Sequence, residues 1–364
     1  MNWTNKLKNI SLLVFSLIFA FILVELVYRA ILKDADNDGY KNRTMLFESG
    51  ANFSNYDNFF KYEPNIEIRS VTLYSKTKSV NIDDVIIEYD NIISTNNAGL
   101  VMSADLEKGD DAFYIIGDSF TEGQGASPWF YELEDKEVNN TKLVNLGILG
   151  TGPQQWLSLA NFIRQEFSHN VSGIVINLLP GDMDRNPWIL KDRELQCLRF
   201  TTCDYKLGFQ GFSFTKDSQN SDIRRAVLNQ LNEMPFSITT VKEIIKKSYV
   251  IVDIYRLLKK NNNVTQSQSK NEQALLELKS ISKDNLFINL VSHWTGPQTI
   301  VNSTNYHDYT LAADLVKFLE ANSISFRWCD IPKNGFHVND GHPKEAGYKV
   351  LRRCTERAVQ LLSR

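Results

Sequence analysis

The sequence has few of the residues that metal sites and nucleic-acid surfaces require. Its 364 residues include only four cysteines and five histidines, and none of their spacings is typical of zinc ligands. The net charge of -3 is spread along the chain and forms no basic stripe, so nucleic acid is excluded as a partner. We therefore expect no metal, no other cofactor and no nucleic acid.

The four cysteines leave two redox states open. Cys197 and Cys203 lie close together, whereas Cys329 and Cys354 lie far along the chain. An exported domain could form two disulfides, and four reduced, partly buried thiols fit the same spacing. With 43% hydrophobic and 23% charged residues, the chain can in either state bury a sizeable core and fold as a globular protein.

A single long hydrophobic run lies near the amino terminus. Residues 10–24 are almost wholly apolar, and the run continues to residue 27 across Glu25, which is about the length that spans a bilayer core. We expect residues 1–33 to anchor the protein to a membrane, with the rest of the chain outside the cytoplasm, either periplasmic or at the cell surface. A cleaved signal peptide is the alternative, since Lys6 and Lys8 precede the run.

The segment after this run divides into two parts. Residues 34–58 are polar and rich in turn formers, which is typical of a juxtamembrane spacer. Residues 66–93 are rich in branched and aromatic residues and indicate short strands. We expect residues 34–108 to be a spacer and a β-rich edge that covers the main domain without contributing to its chemistry.

From residue 109 to residue 364, strand and helix patterns alternate, which predicts an α/β domain with a parallel sheet. The predicted strands are 112–116, 142–146, 173–179, 286–291 and 323–331. The interval of about 186–284 breaks the alternation and is predicted to be an insertion. It contains a basic amphipathic helix at about 237–260 and a polar tract at 261–271.

The candidate chemistry begins at Ser119, just after the first predicted strand of this domain. Ligands of parallel sheets bind at the carboxyl ends of the strands. Ester hydrolysis by a serine needs a base, a group that orients the base, and donors for the oxyanion. His342 lies before the last helix and is the strongest base candidate, and a turn can bring Asp340 to the far nitrogen of its ring.

The other histidines are weaker candidates for the base. His337 lies in the same loop as His342, and His293 follows the fourth predicted strand, where it could line a pocket or simply pack. His169 and His307 lie beside predicted helix ends and are expected at the surface. Asp182 and Asp184 share one loop without a histidine, which is a weak pattern for a metal.

Three blocks of residues resemble those of the SGNH, or GDSL-type, hydrolases in their membrane-anchored bacterial form, over about residues 96–362. They are Gly117-Asp118-Ser119 with Gly123 and Gly125, Asn145-Leu146-Gly147-Ile148-Leu149-Gly150, and Asp340-Gly341-His342-Pro343. The resemblance implies a three-layer α/β/α sandwich of the flavodoxin-like kind. It also implies a serine esterase with Ser119 as nucleophile, His342 as base and acid, Asp340 as its orienter, and the N–H groups of Ser119 and Gly150 as oxyanion donors.

The sequence departs from the family pattern in the third block. Gly181 stands where the family usually has an asparagine whose amide is a further oxyanion donor, and Asn177 and Asn186 are nearby candidates to replace it. The acid lies two residues before the histidine, as in relatives that act on acetyl groups of polysaccharides. We expect an esterase that removes acyl groups, such as acetyl, from cell-envelope carbohydrate. The alternatives are an O-acyltransferase that acts on an envelope glycan and a noncatalytic glycan-binding or scaffold protein.

Overall fold

A computed structural model of the chain describes residues 40–49, 53–76, 81–134, 140–190, 214–233, 264–291 and 309–364, with positions 16, 19, 20, 136 and 138. Nearly all of them belong to one compact unit, Tyr40–Asn232 with Thr265–Arg364. A second unit, Met1–Gly39 with Glu233–Val264, lies almost entirely outside the described residues.

Several predictions from the sequence fall outside the described residues. They are most of the membrane anchor at 1–33, the basic helix at 237–260, and the residues Cys197, Cys203, His293 and His307. In the part of the chain that the structure does describe, no helix combines the length and the apolar character that crossing a bilayer requires.

The described residues form ten strands and six α-helices. The strands are β1 Tyr40–Phe47, β2 Phe53–Asn55, β3 Phe60–Tyr62, β4 Glu67–Lys76, β5 Val85–Ser94, β6 Asp111–Gly117, β7 Lys142–Gly147, β8 Asn170–Leu178, β9 Leu286–Val291 and β10 Ser325–Cys329. The helices are α1 Ser119–Glu122, α2 Pro153–Glu166, α3 Asn220–Glu233, α4 Val264–Ile281, α5 Tyr309–Ala321 and α6 Glu345–Leu362.

The last five strands form one parallel sheet in the order β7-β6-β8-β9-β10. Counted within this sheet, the order is 2-1-3-4-5, that of the flavodoxin-like doubly wound fold. The order reverses between β6 and β8. In sheets of this kind, right-handed crossovers place helices on both faces, and ligands bind at the carboxyl ends of the two strands where the order reverses.

All five predicted strands of the main domain are present, with ends that differ by up to three residues. The central strands β6, β8 and β9 are near-continuous apolar runs because the middle of a parallel sheet is covered on both faces, and every residue of β9 is buried. The edge strand β10 is more polar, and only Cys329 in it is buried. Helix α2 packs on β6 and β7, and α6 packs on β8, β9 and β10. The fifth strand starts later than predicted because Ser323 has a positive φ of 51° and so cannot continue a strand.

The amino-terminal region forms a second sheet, which is antiparallel and has the order β1-β4-β5. Strand β1 lies in the stretch that was predicted to be a spacer, so that prediction is wrong at 40–47. The sequence pattern does not indicate this strand, because Leu46 is its one buried apolar residue and no alternation of apolar and polar residues results. A small core joins this sheet to α3, and its members are Leu46, Val71, Leu73, Val85, Phe214, Ile223 and Val227.

The structure adds a helix to the polar tract and corrects one predicted helix start. The polar tract at 261–271 is helical from Val264 onward, because α4 continues into a buried apolar stripe that includes Leu275 and Leu278. The helix start predicted at Ser127 and Pro128 leads only to a short 3-10 helix, Trp129–Glu132.

Candidate active site

Ser119 lies at the turn between β6 and α1, at the point where the strand order of the parallel sheet reverses. Asp118 caps the helix, and its carboxylate accepts a hydrogen bond from the Phe120 N–H at 2.9 Å. Such a cap stabilises the sharp turn that ends a strand and starts a helix. The turn holds Ser119 at the carboxyl end of β6, where only 6% of its surface is exposed.

His342 approaches Ser119 from the loop between β10 and α6. Its Nε2 lies 2.9 Å from Ser119 Oγ, which is hydrogen-bonding distance. Its Nδ1 bonds to Oδ1 of Asp340, and the same oxygen accepts the His342 N–H at 3.0 Å. The structure therefore brings the three predicted side chains into one hydrogen-bonded chain. In this arrangement a base can take the serine proton while the acid orients the ring.

Gly125 lets this loop approach the helix that carries Ser119. Its φ is +110°, and a Cβ built on it would lie 2.7 Å from the Pro343 carbonyl oxygen and 3.0 Å from His342 Cβ. Any larger residue would push the histidine away. His337 also contacts this glycine, since its Nε2 lies 2.6 Å from the Gly125 oxygen. His337 therefore holds the loop, and its hydrogen bond goes to this backbone oxygen.

The second carboxylate oxygen of Asp340 is bound by the amino-terminal sheet. Arg43 Nε of β1 donates to Oδ2 at 2.9 Å, and the Tyr89 hydroxyl of β5 donates to the same oxygen at 3.2 Å. Arg43 Nη2 also donates to the Tyr89 hydroxyl at 3.1 Å. The expectation that this region makes no contribution to the site is therefore wrong. No local pattern revealed these contacts, because they join residues about 250 to 300 positions apart.

These contacts decide the charge on Asp340. Burial alone would raise the pKa of its carboxyl group, but the hydrogen bonds and charge of His342, and then the charge of Arg43, hold that pKa well below its usual value. Asp340 therefore stays ionised. Burial first, and the negative charge of Asp340 second, raise the pKa of Tyr89, which keeps that phenol neutral and able to donate.

A tight turn follows β7 and lies beside the helix that begins at Ser119. Gly150 in this turn has a φ of +70°, as expected where glycine is needed. The turn lies against α1, since a Cβ on Gly147 would meet backbone atoms of Thr121 and Glu122. Among the described residues, neither the Ser119 N–H nor the Gly150 N–H has a hydrogen-bond acceptor. Two backbone donors are thus available at the site.

Arg185 lies four residues after Gly181, the position where the third block departs from the family pattern, and it was not predicted to belong to the site. Arg185 Nη2 lies 3.1 Å from Asp118 Oδ2 and 3.1 Å from Asp182 Oδ1, and Nη1 donates to the Thr151 oxygen at 2.8 Å. Ser119 Oγ lies 3.4 Å from the same oxygen of Asp118. Arg185 therefore places a cation on the Asp118 carboxylate, which in turn lies beside the serine. Sequence reasoning missed it because the arginine lies four residues beyond the position that the motif specifies.

The candidates for the missing asparagine differ in their surroundings. Asn177 is fully buried, and its Oδ1 accepts hydrogen bonds from Asn289 at 2.9 Å and Thr355 at 3.1 Å, so its amide belongs to the core. Asn186 is exposed. Gly181 is exposed as well, and a Cβ built on it meets nothing within 4 Å, so a side chain would fit at this position.

Glu122 is a buried carboxyl group one turn after Ser119. It accepts a hydrogen bond from the hydroxyl of Tyr62, which is itself fully buried. Burial raises the pKa of Glu122 to about 8, although the bonds from Tyr62 and from the Leu149 backbone oppose this shift. Leu149 belongs to the Gly150 turn, so Glu122 links the nucleophile helix to that turn.

The remaining candidate residues have structural partners. His169 is buried, contrary to the prediction, because its two ring nitrogens lie 3.2 Å from the Tyr114 hydroxyl and 3.1 Å from the Glu107 oxygen. Asp182 faces Arg185 and accepts the Leu179 N–H at 3.1 Å. Within the described ranges, no three histidine, cysteine, aspartate or glutamate side chains group in a way that could hold a metal.

Comparison with known proteins gives similar structures only. No protein-family model and no curated protein matches the chain. A proposed acylhydrolase from Bacteroides fragilis is 14% identical, covers 71% of this chain and 92% of its own, and has a TM-score of 0.36.

Two further solved structures are similar to the chain. A catalytic mutant of an acetylxylan esterase from Geobacillus stearothermophilus is 13% identical, covers 70% of this chain and 96% of its own, and has a TM-score of 0.33. A GDSL-like lipase from Bacteroides thetaiotaomicron is 12% identical, covers 69% of this chain and 88% of its own, and has a TM-score of 0.32. That lipase bears the name of the family that the sequence motifs resemble.

Proposed function

We propose that the protein is a serine esterase of the SGNH, or GDSL, type. The observation that carries the proposal is the hydrogen-bonded chain from Ser119 through His342 to Asp340, at the switch point of a doubly wound sheet. The motif blocks around Ser119, Gly150 and His342 support the same assignment.

The mechanism follows from the positions of these groups. Ser119 Oγ attacks the ester carbonyl carbon while His342 Nε2 takes the hydroxyl proton. The N–H groups of Ser119 and Gly150 hold the oxyanion, and the ionised Asp340 stabilises the imidazolium. The intermediate collapses to an acyl-enzyme, and the alcohol leaves with the proton from His342. His342 then takes a proton from water, which attacks the acyl carbonyl. The bond from the acyl carbon to Ser119 Oγ breaks, Oγ takes the proton back from His342, and the acid is released.

The oxyanion site differs from the family pattern at Gly181. Loss of one donor costs on the order of a hundredfold in rate. The guanidinium of Arg185, next to Asp118, is the candidate that replaces it. A cation can stabilise the developing charge as an amide does, and we therefore expect turnover rather than an inert fold.

The proposed substrate is acylated carbohydrate of the cell envelope, with acetyl as the acyl group. Two observations support an extracytoplasmic site: the apolar run at 10–27 and the disulfide between Cys329 and Cys354, whose Cα atoms are 6.0 Å apart. Disulfides form mainly in oxidising compartments. We expect the full chain in the membrane fraction and accessible to protease from outside the inner membrane. Recovery from the cytosol would contradict this placement.

Turnover of simple esters tests the proposed activity. With p-nitrophenyl acetate, Ser119→Ala should lower kcat by about a thousandfold or more, since the nucleophile is removed. Ser127→Ala is the matched control, because Ser127 is exposed and lies only eight residues away. Equal turnover by wild type and Ser119→Ala would refute the assignment. Mass spectrometry of an added glycan would show acetate release for an esterase and sugar acetylation for an acyltransferase.

A further inference from the structure

An exposed tryptophan lies against the Gly150 turn. Trp188 is 39% exposed, and a Cβ built on Gly150 would lie 3.1 Å from its Cε3 and 3.2 Å from its Cζ3. The next residue, Ile189, is 37% exposed. Large apolar side chains are rarely left in water side by side without a role, and such patches often mark binding sites.

Trp188 is held in place from two sides. The backbone N–H of Trp188 donates to Gln155 Oε1 at 3.0 Å, and its backbone carbonyl oxygen accepts from Gln155 Nε2 at 2.6 Å. Gln155 is buried on α2. The ring of Phe60 meets the indole edge-on, with ring centres 5.0 Å apart. The indole is therefore pre-organised, so little conformational entropy is lost when a ligand packs on it.

The same segment connects the tryptophan to the nucleophile. Arg185, three residues earlier, contacts the Asp118 carboxylate that precedes Ser119 in the chain. The segment thus lines the site with a cation near Ser119 and an aromatic surface near Gly150. The indole is open to solvent, whereas an acyl group would need an enclosed pocket. The bulky alcohol part of the ester is therefore the part that fits this surface.

We propose that Trp188 is the platform on which the sugar ring of the ester packs. This inference rests on the proposed esterase function and specifies which part of the substrate the site recognises. The C–H groups on one face of a pyranose ring are apolar and cover an indole, while the hydroxyls at the ring edge remain in contact with water and polar side chains. Trp188 would then determine specificity for the alcohol and take no part in the chemical step.

Three esters without aromatic groups distinguish recognition of the sugar ring from recognition of the acyl group. Glucose pentaacetate and ethyl acetate share the acetyl group, and ethyl butyrate extends the acyl chain. Acid release is followed in a pH-stat. For Trp188→Ala we expect about a tenfold loss of kcat/KM on glucose pentaacetate, mainly in KM, and little change on the two ethyl esters. Trp188→Phe should retain most of the activity, and Trp328→Ala, at a 42% exposed tryptophan of β10, should change nothing.

Equal losses on all three esters, a loss confined to ethyl butyrate, or no loss would each overturn the proposal. Failure of the esterase function is detected separately. In the Ser119→Ala background, glucose pentaacetate should change tryptophan fluorescence, and Trp188→Phe should abolish that change. If wild type hydrolyses none of the esters but this change is present, the sugar platform stands and the esterase assignment falls. If the fluorescence does not change, the platform falls.

Discussion

Asp340 uses its two carboxylate oxygens for different purposes. Oδ1 binds His342, and Oδ2 binds Arg43 and Tyr89 from the amino-terminal sheet. A carboxylate held at both oxygens has one orientation, so it fixes the imidazole more firmly than a single contact would. Arg43 is thus a positioning residue that acts on the serine through Asp340 and His342.

Arg43→Gln should lower kcat for ester hydrolysis by about tenfold, with KM nearly unchanged. Loss of the cation also removes one of the contributions that hold the pKa of Asp340 low, so the pKa of that carboxyl rises. The measurement is the pH profile of kcat.

Arg69→Gln provides the matched control for this profile. Arg69 lies on β4 of the same sheet and pairs with Asp90, away from the site. Its substitution should leave kcat and the profile unchanged. A profile for Arg43→Gln that coincides with that of Arg69→Gln would show that Arg43 has no positioning role.

Glu122 should make stability depend on pH. Its pKa is about 8 in the fold and near 4.5 without burial. Between these values the folded state keeps a proton that the unfolded state has released, so stability falls as pH rises from about 4.5 to about 8, by up to about 5 kcal/mol. Glu122→Gln should remove most of this slope. Urea unfolding at pH 5 and pH 8.5 measures it, and equal slopes for both proteins would contradict the prediction.

Among the elements, the loop between β10 and α6 carries both Asp340 and His342. The disulfide between Cys329 and Cys354 joins the strand and the helix that bound this loop. Two further contacts tie the region to the nucleophile segment: the hydroxyl of Tyr348 donates to the Gln124 oxygen at 2.5 Å, and His337 contacts Gly125. The disulfide therefore adds stability to a loop whose position has other supports.

Replacing both Cys329 and Cys354 with serine should lower the free energy of unfolding by about 3 kcal/mol, because the bridge closes a loop in the unfolded chain. We expect kcat at 25 °C to stay within about threefold of wild type, since the non-covalent supports remain. Urea unfolding and ester turnover on the same preparations provide the two values. An unchanged unfolding free energy would show that the disulfide does not stabilise the fold. A kcat reduced a hundredfold would show that the disulfide is needed to position the loop.

Some elements could be predicted from the sequence and others could not. The central parallel strands are apolar runs, and Ser119 and His342 stand in local motifs at strand and helix ends. The contacts of Arg43, Tyr89 and Trp188 arise only from packing between distant segments, and none of the three stands in a recognisable local pattern. Strand β1 has a single fully buried apolar residue, which is too weak a signal of alternation.

At the level of the whole molecule, the amino-terminal segment and the parallel sheet share one hydrophobic core. Phe53, Phe60, Tyr62 and Ile68 pack in the same cluster as residues of β6 to β10 and α6. The segment at 34–108 thus contributes core residues as well as the partners of Asp340. We predict that stability and activity both depend on it.

A chain of residues 109–364 should therefore fail to unfold cooperatively and should have no measurable esterase activity. A chain of residues 34–364 is the control, and it should unfold in one transition with the kcat of the full protein. Circular dichroism during heating and ester turnover are the measurements. Cooperative unfolding and full activity of the shorter chain would show that the parallel sheet needs neither the core nor the site residues of the first segment.

We propose that Ser119 is a nucleophile activated by His342. A fluorophosphonate reacts covalently with such a serine, and peptide mass spectrometry locates the adduct. We predict labelling of wild type at Ser119, none in Ser119→Ala, and a labelling rate about a hundredfold or more lower in His342→Ala. Wild type that does not react while a control serine hydrolase does, or that is labelled elsewhere, would contradict the claim, as would equal rates for wild type and His342→Ala.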